Sequence, residues 1–365
     1  MNIASLALLA LASCAPIALA AQPAPPVPPS PTVAAPPASL PQAPVHNPPY
    51  GTFKMELPMI QRNVLAGVRG RLGGMAIDAR NNILYVAATA AGSIEVHQVA
   101  GSKQVQSVGD LPGPQGLVFI PELRLLVASC ATDGSCRVFK AGDDGRLTFE
   151  RSVPFGGEAG PLAYDTATGH CWVGHGVFVS CFDPRDGSKK SEVALQGIGR
   201  PIAIVAESLG PRLFALTASA NEVVVIDRST STVTARWPLS EGGPSAIALD
   251  EVTKRVFIAC RTSAKLLVLD AADGREVARL DGPAEPGSLW FDARLRKVYI
   301  AGNQGHIGVI AQTSADEYRP VTTEASAPGS RMSLLVPEHR RLIVSCPQID
   351  ADDDQARLFV YQIGP

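Results

Sequence analysis

The chain has 365 residues, of which 46% are hydrophobic, and its 32 basic and 34 acidic side chains give a formal net charge of −2. This balance excludes a bulk attraction to nucleic acid or to anionic lipid, so we expect no nucleic-acid partner. The length alone would fit two ordinary domains, but the repeats described below predict one closed ring instead.

The N-terminal segment has the composition of an export signal. The first 53 residues contain no Lys, Arg, Asp or Glu, and residues 3–20 are apolar and mostly small. Ala18-Leu19-Ala20 resembles a signal cleavage site, so we predict that residues 1–20 are a signal peptide and that the protein is periplasmic or secreted. A transmembrane span is not expected, because about eighteen apolar residues interrupted by Pro16 span a bilayer poorly.

A second interpretation of this segment is a lipid anchor. Leu11-Ala12-Ser13-Cys14 resembles a bacterial lipobox, in which Cys14 is lipidated and holds the protein at a membrane as a lipoprotein. Residues 21–52 form a Pro/Ala-rich linker with twelve prolines between positions 23 and 49. Such a segment favours extended polyproline conformation and cannot pack a core, so we predict a disordered spacer.

From Met75 to Ile363 the sequence repeats one unit of short strands seven times. Equivalent positions, spaced by 41 to 46 residues, are Asp78, Phe119, Asp165, Glu207, Asp250, Asp292 and Val336. Second strands are apolar runs such as ILYVAA and VFIAC, third strands alternate with period two, and helical periodicity is absent. A single four-stranded sheet cannot bury both faces, so the repeat predicts an all-β fold: a seven-bladed β-propeller of four-stranded antiparallel blades over residues 53–365.

The seventh unit is incomplete, and this predicts how the ring closes. Only Gly364 and Pro365 follow its third strand, so it lacks a fourth strand of its own. Residues 53–61, FKMELPMIQ, precede the first complete unit and have no other partner. We therefore predict that this N-terminal strand completes the last blade, which removes an exposed sheet edge.

The repeat resembles the YVTN or YncE-like β-propeller family. The residues that carry the resemblance are RVFIACRTSAKLLVLDAADGREVARL (255–280) and LFALTASANEVVVIDRSTSTVTARW (213–237). The resemblance implies the propeller fold over about residues 53–365 and leaves the activity open. The chain departs from the family pattern after the second strands, where Ala, Ser or Cys often replaces Thr-Asn.

Export changes how the cysteines are interpreted, because disulfides form outside the cytoplasm. Cys130 and Cys136 flank a turn in the second unit, and Cys171 and Cys181 flank the corresponding hairpin in the third. A three-residue turn at 175–177 would place Cys171 opposite Cys181, within disulfide range. We predict bridges 130–136 and 171–181, with buried reduced cysteines as the alternative. Residues Cys260 and Cys346 are predicted to be buried thiols.

Two sets of turns meet at one mouth of a propeller channel: those leading into the first strands and those between the second and third strands. Their candidate binding residues are Arg71, Glu158, His175, Arg200, Glu241, Arg261, Glu285, Asn303, His306 and Arg331. We expect a basic sector at Arg71 and Arg331 and an acidic sector at Glu241 and Glu285. Such a mouth fits a polar ligand or a partner's loop, and a solvated rim is the alternative.

Motifs for catalysis are absent: there is no GxSxG elbow, HExxH, P-loop or dinucleotide fingerprint. No catalytic residue, cofactor or metal site is assigned, and the acidic turn at 350–354 lacks the EF-hand pattern. We therefore predict a non-catalytic propeller that binds an envelope partner protein or a small polar ligand. The alternative is a lactonase-like hydrolase, with a metal or with Glu158, Glu241 or Glu285 as a carboxylate base.

Overall fold

The computed structural model describes residues 56–99, 103–195, 199–347 and 355–364. The predicted signal peptide with Cys14, the linker at 21–52 and the acidic turn at 350–354 lie outside these residues. Within the described ranges, no helix has the length and apolar character needed to cross a bilayer.

The described residues form seven antiparallel sheets of four strands each, so the predicted seven-bladed β-propeller is confirmed. Strand β1 (Met59–Leu65) comes first and belongs to the last blade. Blade 1 contains β2 (Met75–Asp78), β3 (Ile83–Ala88), β4 (Ser93–Gln98) and β5 (Gln104–Val108). Blade 2 contains β6 (Pro114–Ile120), β7 (Leu125–Cys130), β8 (Ser135–Ala141) and β9 (Leu147–Pro154). Blade 3 contains β10 (Ala159–Asp165), β11 (His170–His175), β12 (Phe178–Phe182) and β13 (Lys189–Ala194).

The remaining blades follow the same order. Blade 4 contains β14 (Pro201–Ala206), β15 (Arg212–Thr217), β16 (Glu222–Asp227) and β17 (Thr232–Pro238). Blade 5 contains β18 (Pro244–Asp250), β19 (Arg255–Cys260), β20 (Lys265–Asp270) and β21 (Glu276–Asp281). Blade 6 contains β22 (Pro286–Asp292), β23 (Lys297–Gly302), β24 (His306–Gln312) and β25 (Tyr318–Ala325). Blade 7 contains β26 (Met332–Val336), a 3₁₀ turn at Pro337–His339, β27 (Arg341–Cys346) and β28 (Ala356–Gln362).

The ring is closed by the N-terminal strand, as predicted. Blade 7 has the order β1-β28-β27-β26, and β1 pairs antiparallel with β28 from Met59 opposite Tyr361 to Leu65 opposite Ala356. The strand begins at Met59, within the predicted segment 53–61, and continues beyond it to Leu65. Asn63 and Leu65 are buried, whereas Val64 between them is 43% exposed.

Each interface between neighbouring blades holds one hydrophobic cluster, and seven clusters circle the ring. Successive residues of a strand point to opposite faces of the sheet. In β3, Leu84 and Val86 therefore pack against blade 7, and Tyr85 and Ala87 pack against blade 2. This two-sided burial explains why the second strands are continuous apolar runs in the sequence.

Carboxylates at the ends of several first strands fix the following turns. Asp165 accepts hydrogen bonds from the Ala167 amide at 3.0 Å and from the Thr168 hydroxyl at 2.7 Å. Its other contact is an ion pair with Arg228 of blade 4, and both side chains are buried. Asp78 is bound in the same way by Arg124 of blade 2. These polar contacts therefore tie neighbouring blades together at the end of the ring where the first strands finish.

The predicted disulfides are wrong, because the strand register places the members of each pair on opposite faces. Cys171 lies opposite Phe182, and Cys181 lies opposite Trp172, so the two sulfurs point into different blade interfaces. The turn has two residues rather than three, since His175 pairs with Phe178. In blade 2, Cys130 likewise lies opposite Ser135 rather than Cys136.

All six cysteines of the described residues are buried, and no disulfide joins them. Burial raises the pKa of Cys130 to about 11 and that of Cys260 to about 12, so both remain thiols at neutral pH. The prediction of buried thiols at Cys260 and Cys346 is confirmed. Each sulfur lies 3.8 Å from a backbone carbonyl oxygen, that of Glu241 for Cys260 and that of Pro328 for Cys346.

Replacing Leu65 should test how much the closing strand stabilises the ring. Its side chain is fully buried in the cluster between blades 7 and 1, so Leu65→Ala should lower the free energy of unfolding by about 2–5 kcal/mol. Val64→Ala is the matched control, because it removes an exposed side chain of the same strand and should cost less than about 0.5 kcal/mol. Urea unfolding measures both, and equal midpoints for the two variants would show that β1 does not hold the ring closed.

Candidate functional site

The first strands of the blades surround a central channel, and one end of it opens into a cavity of 480 Å³ lined by residues from all seven blades. Glycines allow neighbouring first strands to approach closely. A Cβ at Gly116 would lie 2.9 Å from the carbonyl oxygen of Gly160 in the next blade. A Cβ at Gly287 would lie 2.6 Å from the carbonyl oxygen of Arg331, so a side chain at either position would spread the blades. The first strands around the cavity are therefore closely packed against one another.

Four arginines line this cavity, and all four are among the predicted mouth residues. They are Arg71, Arg200, Arg261 and Arg331, from blades 1, 4, 5 and 7. Arg200 forms an ion pair with Glu158, another predicted residue. The other three, which we call the arginine cluster, have no carboxylate within ion-pair distance among the described residues. Of the three guanidinium groups, that of Arg261 contacts the Pro286 carbonyl oxygen at 3.5 Å.

Burial of Arg331 lowers the pKa of its guanidinium group, and the positive charges of Arg261 and Arg71 lower it further, against a smaller opposing effect of Glu285. Arg331 is therefore close enough to both Arg71 and Arg261 to be repelled by each of them. An anion placed among them would relieve this repulsion and would be attracted by all three. The sequence predicted Arg71 and Arg331 as a basic sector and Arg261 as a further mouth residue, and the structure brings Arg261 to that sector.

The expected acidic sector does not face the channel. None of Glu158, Glu241 and Glu285 lines the cavity. Glu241 accepts a hydrogen bond from Arg279 at 2.8 Å, and Glu285 accepts one from the Asn303 side chain at 2.8 Å. The expectation is wrong because these long side chains turn sideways to nearby donors on their own and neighbouring turns. The lining of the channel cavity is therefore basic, with no carboxylate side chain in it.

Asn303 lies beside the arginine cluster, where it lines an adjoining cavity of 300 Å³ together with Arg71 and Arg331. His306 is exposed and does not line either cavity. Gln115 and Met332 line the channel and were missed from the sequence. Gln115 is the second residue of β6, directly after the turn leading into blade 2, so its place beside that turn was the available signal.

His175 is not a mouth residue, because its side chain is 1% exposed within blade 3. The ring lies 5.2 Å from that of Phe155 and 5.6 Å from that of Phe178, measured between centroids. Nδ1 donates to the Gly156 carbonyl at 3.2 Å, and Nε2 lies 2.7 Å from the Ser180 hydroxyl. The prediction placed it at the end of a turn, but the shorter turn keeps it in strand β11, where it faces the outer strands.

No group of three or more His, Cys, Asp or Glu side chains is arranged to hold a metal ion among the residues that the structure describes. The carboxylates proposed for hydrolysis are engaged elsewhere: Glu158 by Arg200, Glu241 by Arg279 and Glu285 by Asn303. What the mouth offers a ligand is therefore positive charge and guanidinium hydrogen-bond donors.

The buried His175 should make stability depend on pH. Burial lowers the pKa of His175 below its ordinary 6.5, outweighing the Gly156 hydrogen bond and the charge of Glu192. The unfolded chain then binds the proton more strongly, so the free energy of unfolding should fall as the pH decreases below about 6.5. His175→Gln should weaken this dependence in urea unfolding between pH 7.5 and 5.5. His306→Gln, at an exposed position, should leave it unchanged, and an unchanged pH dependence in His175→Gln would contradict the prediction.

No family model matches the chain, and no curated protein matches it. The structure is similar to 1779 chains of solved structures, a number so large that the likeness by itself selects no function. One similar chain, from the crystal structure of a mitotic checkpoint complex, has a TM-score of 0.71 and 13% sequence identity, with 89% of this chain and 97% of that chain covered. At this identity the likeness shows the propeller fold alone.

Proposed function

We propose that the protein is a non-catalytic propeller that binds an anionic group at the mouth of its channel, carried by a small ligand or by an acidic segment of a partner protein. The observation that carries the proposal is the arginine cluster. Three guanidinium groups without carboxylate partners among the described residues converge on one cavity, and the lining of that cavity contains no Asp or Glu.

The electrostatics favour an anion over a neutral ligand. Like charges held together by a rigid scaffold attract a counter-charge more strongly than a single exposed arginine does. Arginine also binds carboxylate or phosphate oxygens through paired, charge-assisted hydrogen bonds. Because the arginines stand on turns of different blades, a ligand that contacts all three would be held from several sides.

The size of the site favours a compact group. The cavity of 480 Å³ is within the range of small-molecule sites, and its walls are strands that cannot easily move. A partner protein would therefore insert an acidic side chain, a chain end or a short loop. Propellers are often used for protein binding, which supports a protein partner. This support rests on the shared fold alone.

The setting we propose is the cell envelope, and the support comes from the sequence. The uncharged first 53 residues with an apolar stretch at 3–20 support export, and Cys14 supports the lipoprotein alternative. The YVTN or YncE-like resemblance of residues 213–237 and 255–280 supports membership of that propeller family. A hydrolase is less well supported, because Glu158 and Glu241 are ion-paired with arginines and do not line the channel.

Charge reversal at the mouth tests the proposed function. The double variant Arg71→Glu, Arg331→Glu should weaken binding of citrate, as a compact polyanion, and of a short oligoglutamate peptide by at least about tenfold, measured by calorimetry at low salt. Folding should be preserved, because Arg71 is exposed, Arg331 is half-buried, and neither has an ion-pair partner to lose among the described residues. The matched control, Arg80→Glu with Arg319→Glu, makes the same change in net charge at exposed positions outside the mouth.

The control separates a site from a general charge effect. The proposal predicts that the control variant binds citrate and the peptide nearly as well as the parent protein. Equal losses in both double variants, or no loss in the mouth variant, would show that the arginine cluster is only a solvated rim.

A further inference from the structure

A second cavity, separate from the channel mouth, lies between blades 3 and 4 and has a volume of 440 Å³. Its walls include the turn at Ala167 and Thr168 in blade 3 and the turns at Pro211 and Ser231 in blade 4. These turns join first to second strands and third to fourth strands, so they lie at the opposite end of the ring from the arginine cluster. The cavity is thus independent of the proposed function.

At the cavity, the packing between blades 3 and 4 differs from the packing of blades 2, 3 and 5 against their preceding blades. In blades 2, 3 and 5, the turn between the third and fourth strands has a left-handed glycine that packs against the preceding blade. A Cβ at Gly145 would lie 2.6 Å from Ile83, and one at Gly274 would lie 2.1 Å from Trp237. In blade 4 the corresponding left-handed residue is Ser231, with φ of 55°, and its side chain lines the open cavity instead.

The wall from blade 3 carries a buried donor without an acceptor. The side chain of Trp172 lines the cavity and is 2% exposed, and its Nε1–H has no hydrogen-bond partner among the described residues. By contrast, Nε1 of Trp290 donates to the Ser333 carbonyl oxygen at 3.0 Å. Buried indole N–H groups are normally paired, so the unpaired one indicates a missing acceptor.

The other polar groups of the cavity define the charge of a ligand. The guanidinium group of Arg228 is engaged by Asp165 and by the backbone carbonyls of Glu207 at 2.6 Å and Pro211 at 3.2 Å. The Lys190 ammonium group is partly exposed, and its nearest carboxylate, Asp183, is 3.9 Å away. This long ion pair leaves other N–H donors of the Lys190 ammonium group for a second negatively charged group, and the one acidic lining residue, Asp165, is already neutralised.

We propose that this cavity binds a small aromatic carboxylate, whose ring fills the cavity beside the Trp172 side chain while a carboxylate oxygen accepts the Nε1–H and faces Lys190. The pyrrolidine ring of Pro211 and the methyl group of Ala167 provide further apolar contact. The cavity volume of 440 Å³ is within the usual range for small-molecule sites. Binding of this kind satisfies the indole donor without disturbing the ion pair between Asp165 and Arg228.

The test follows the three tryptophan indole N–H signals of the full chain by ¹H–¹⁵N NMR while 1-naphthoate is added. The signal lost in Trp172→Phe is that of Trp172, and Phe is expected to be tolerated because Phe214 and Phe257 occupy the same position in blades 4 and 5. Naphthoate should move the Trp172 signal downfield and leave that of Trp290 in place. Trp172→Phe should weaken binding by about tenfold, as expected for the loss of one hydrogen bond to a charged group.

Three further arms make the assignment specific. Ser191→Phe should abolish binding by filling the cavity, because Ser191 lies opposite Cys181, which in turn lies opposite Trp172. Ser152→Phe, the same change on the outer strand of blade 2, should not affect binding. Neutral 1-naphthamide should bind at least about tenfold more weakly than naphthoate, and Lys190→Gln should remove this difference.

Specific results would overturn the proposal. Equal affinity for naphthoate and naphthamide would contradict a carboxylate ligand. Unchanged binding in Ser191→Phe would place the probe elsewhere on the protein. No shift of the Trp172 signal at millimolar probe, together with rapid exchange of its N–H with water, would show that the cavity is only hydrated.

Discussion

The apolar interface between neighbouring blades is the interaction on which the rest of this structure depends. A blade is a single four-stranded sheet, and its two faces can be removed from water only by two neighbours. The seven clusters provide this burial around the whole ring, and the pairing of β1 with β28 allows the last interface to form. Burial of each large aliphatic side chain contributes roughly 1.5–3 kcal/mol, so the interfaces outweigh the exposed ion pairs, which contribute little.

A ring held together in this way leaves its turns available for binding. The first strands are fixed by close backbone contacts at glycines, so the turns at this end of the ring hold the arginines at set positions around the channel. Their mutual repulsion is tolerated because the interfaces supply the stability. The cavity between blades 3 and 4 also depends on the interfaces, since it lies where one of them is incompletely filled. A buried indole in its wall lacks a hydrogen-bond acceptor among the described residues.

The architecture could be predicted from the sequence because it depends on periodicity, which sequence records directly. The number of blades, the strand order and the closure by an N-terminal strand all follow from repeats and from the missing last strand. The disulfides could not be predicted, because a single residue in the length of the turn at Gly176 reverses the face of Cys181. The prediction of an acidic sector failed for a related reason. The direction of a long side chain depends on hydrogen-bond donors from distant positions, such as Arg279 for Glu241.

The cavity between blades 3 and 4 left only a faint signal in the sequence. The turn between the third and fourth strands is DDG, RDG and ADG in blades 2, 3 and 5 but STS in blade 4. That difference shows that a glycine is dispensable there, but it does not show whether a side chain of the preceding blade fills the space. Packing between blades decides this point, and no single repeat contains the information.

The central claim, that the channel mouth is an anion site made by arginines, is tested most directly by crystallography of the full chain. Crystals grown at low ionic strength would be soaked in selenate, and the selenium would be located by anomalous scattering. The account predicts a selenate at the mouth, with oxygens about 2.7–3.2 Å from the guanidinium nitrogens of at least two of Arg71, Arg261 and Arg331. Arginine side chains paired instead with carboxylates of the same chain, and no selenium among them, would contradict it.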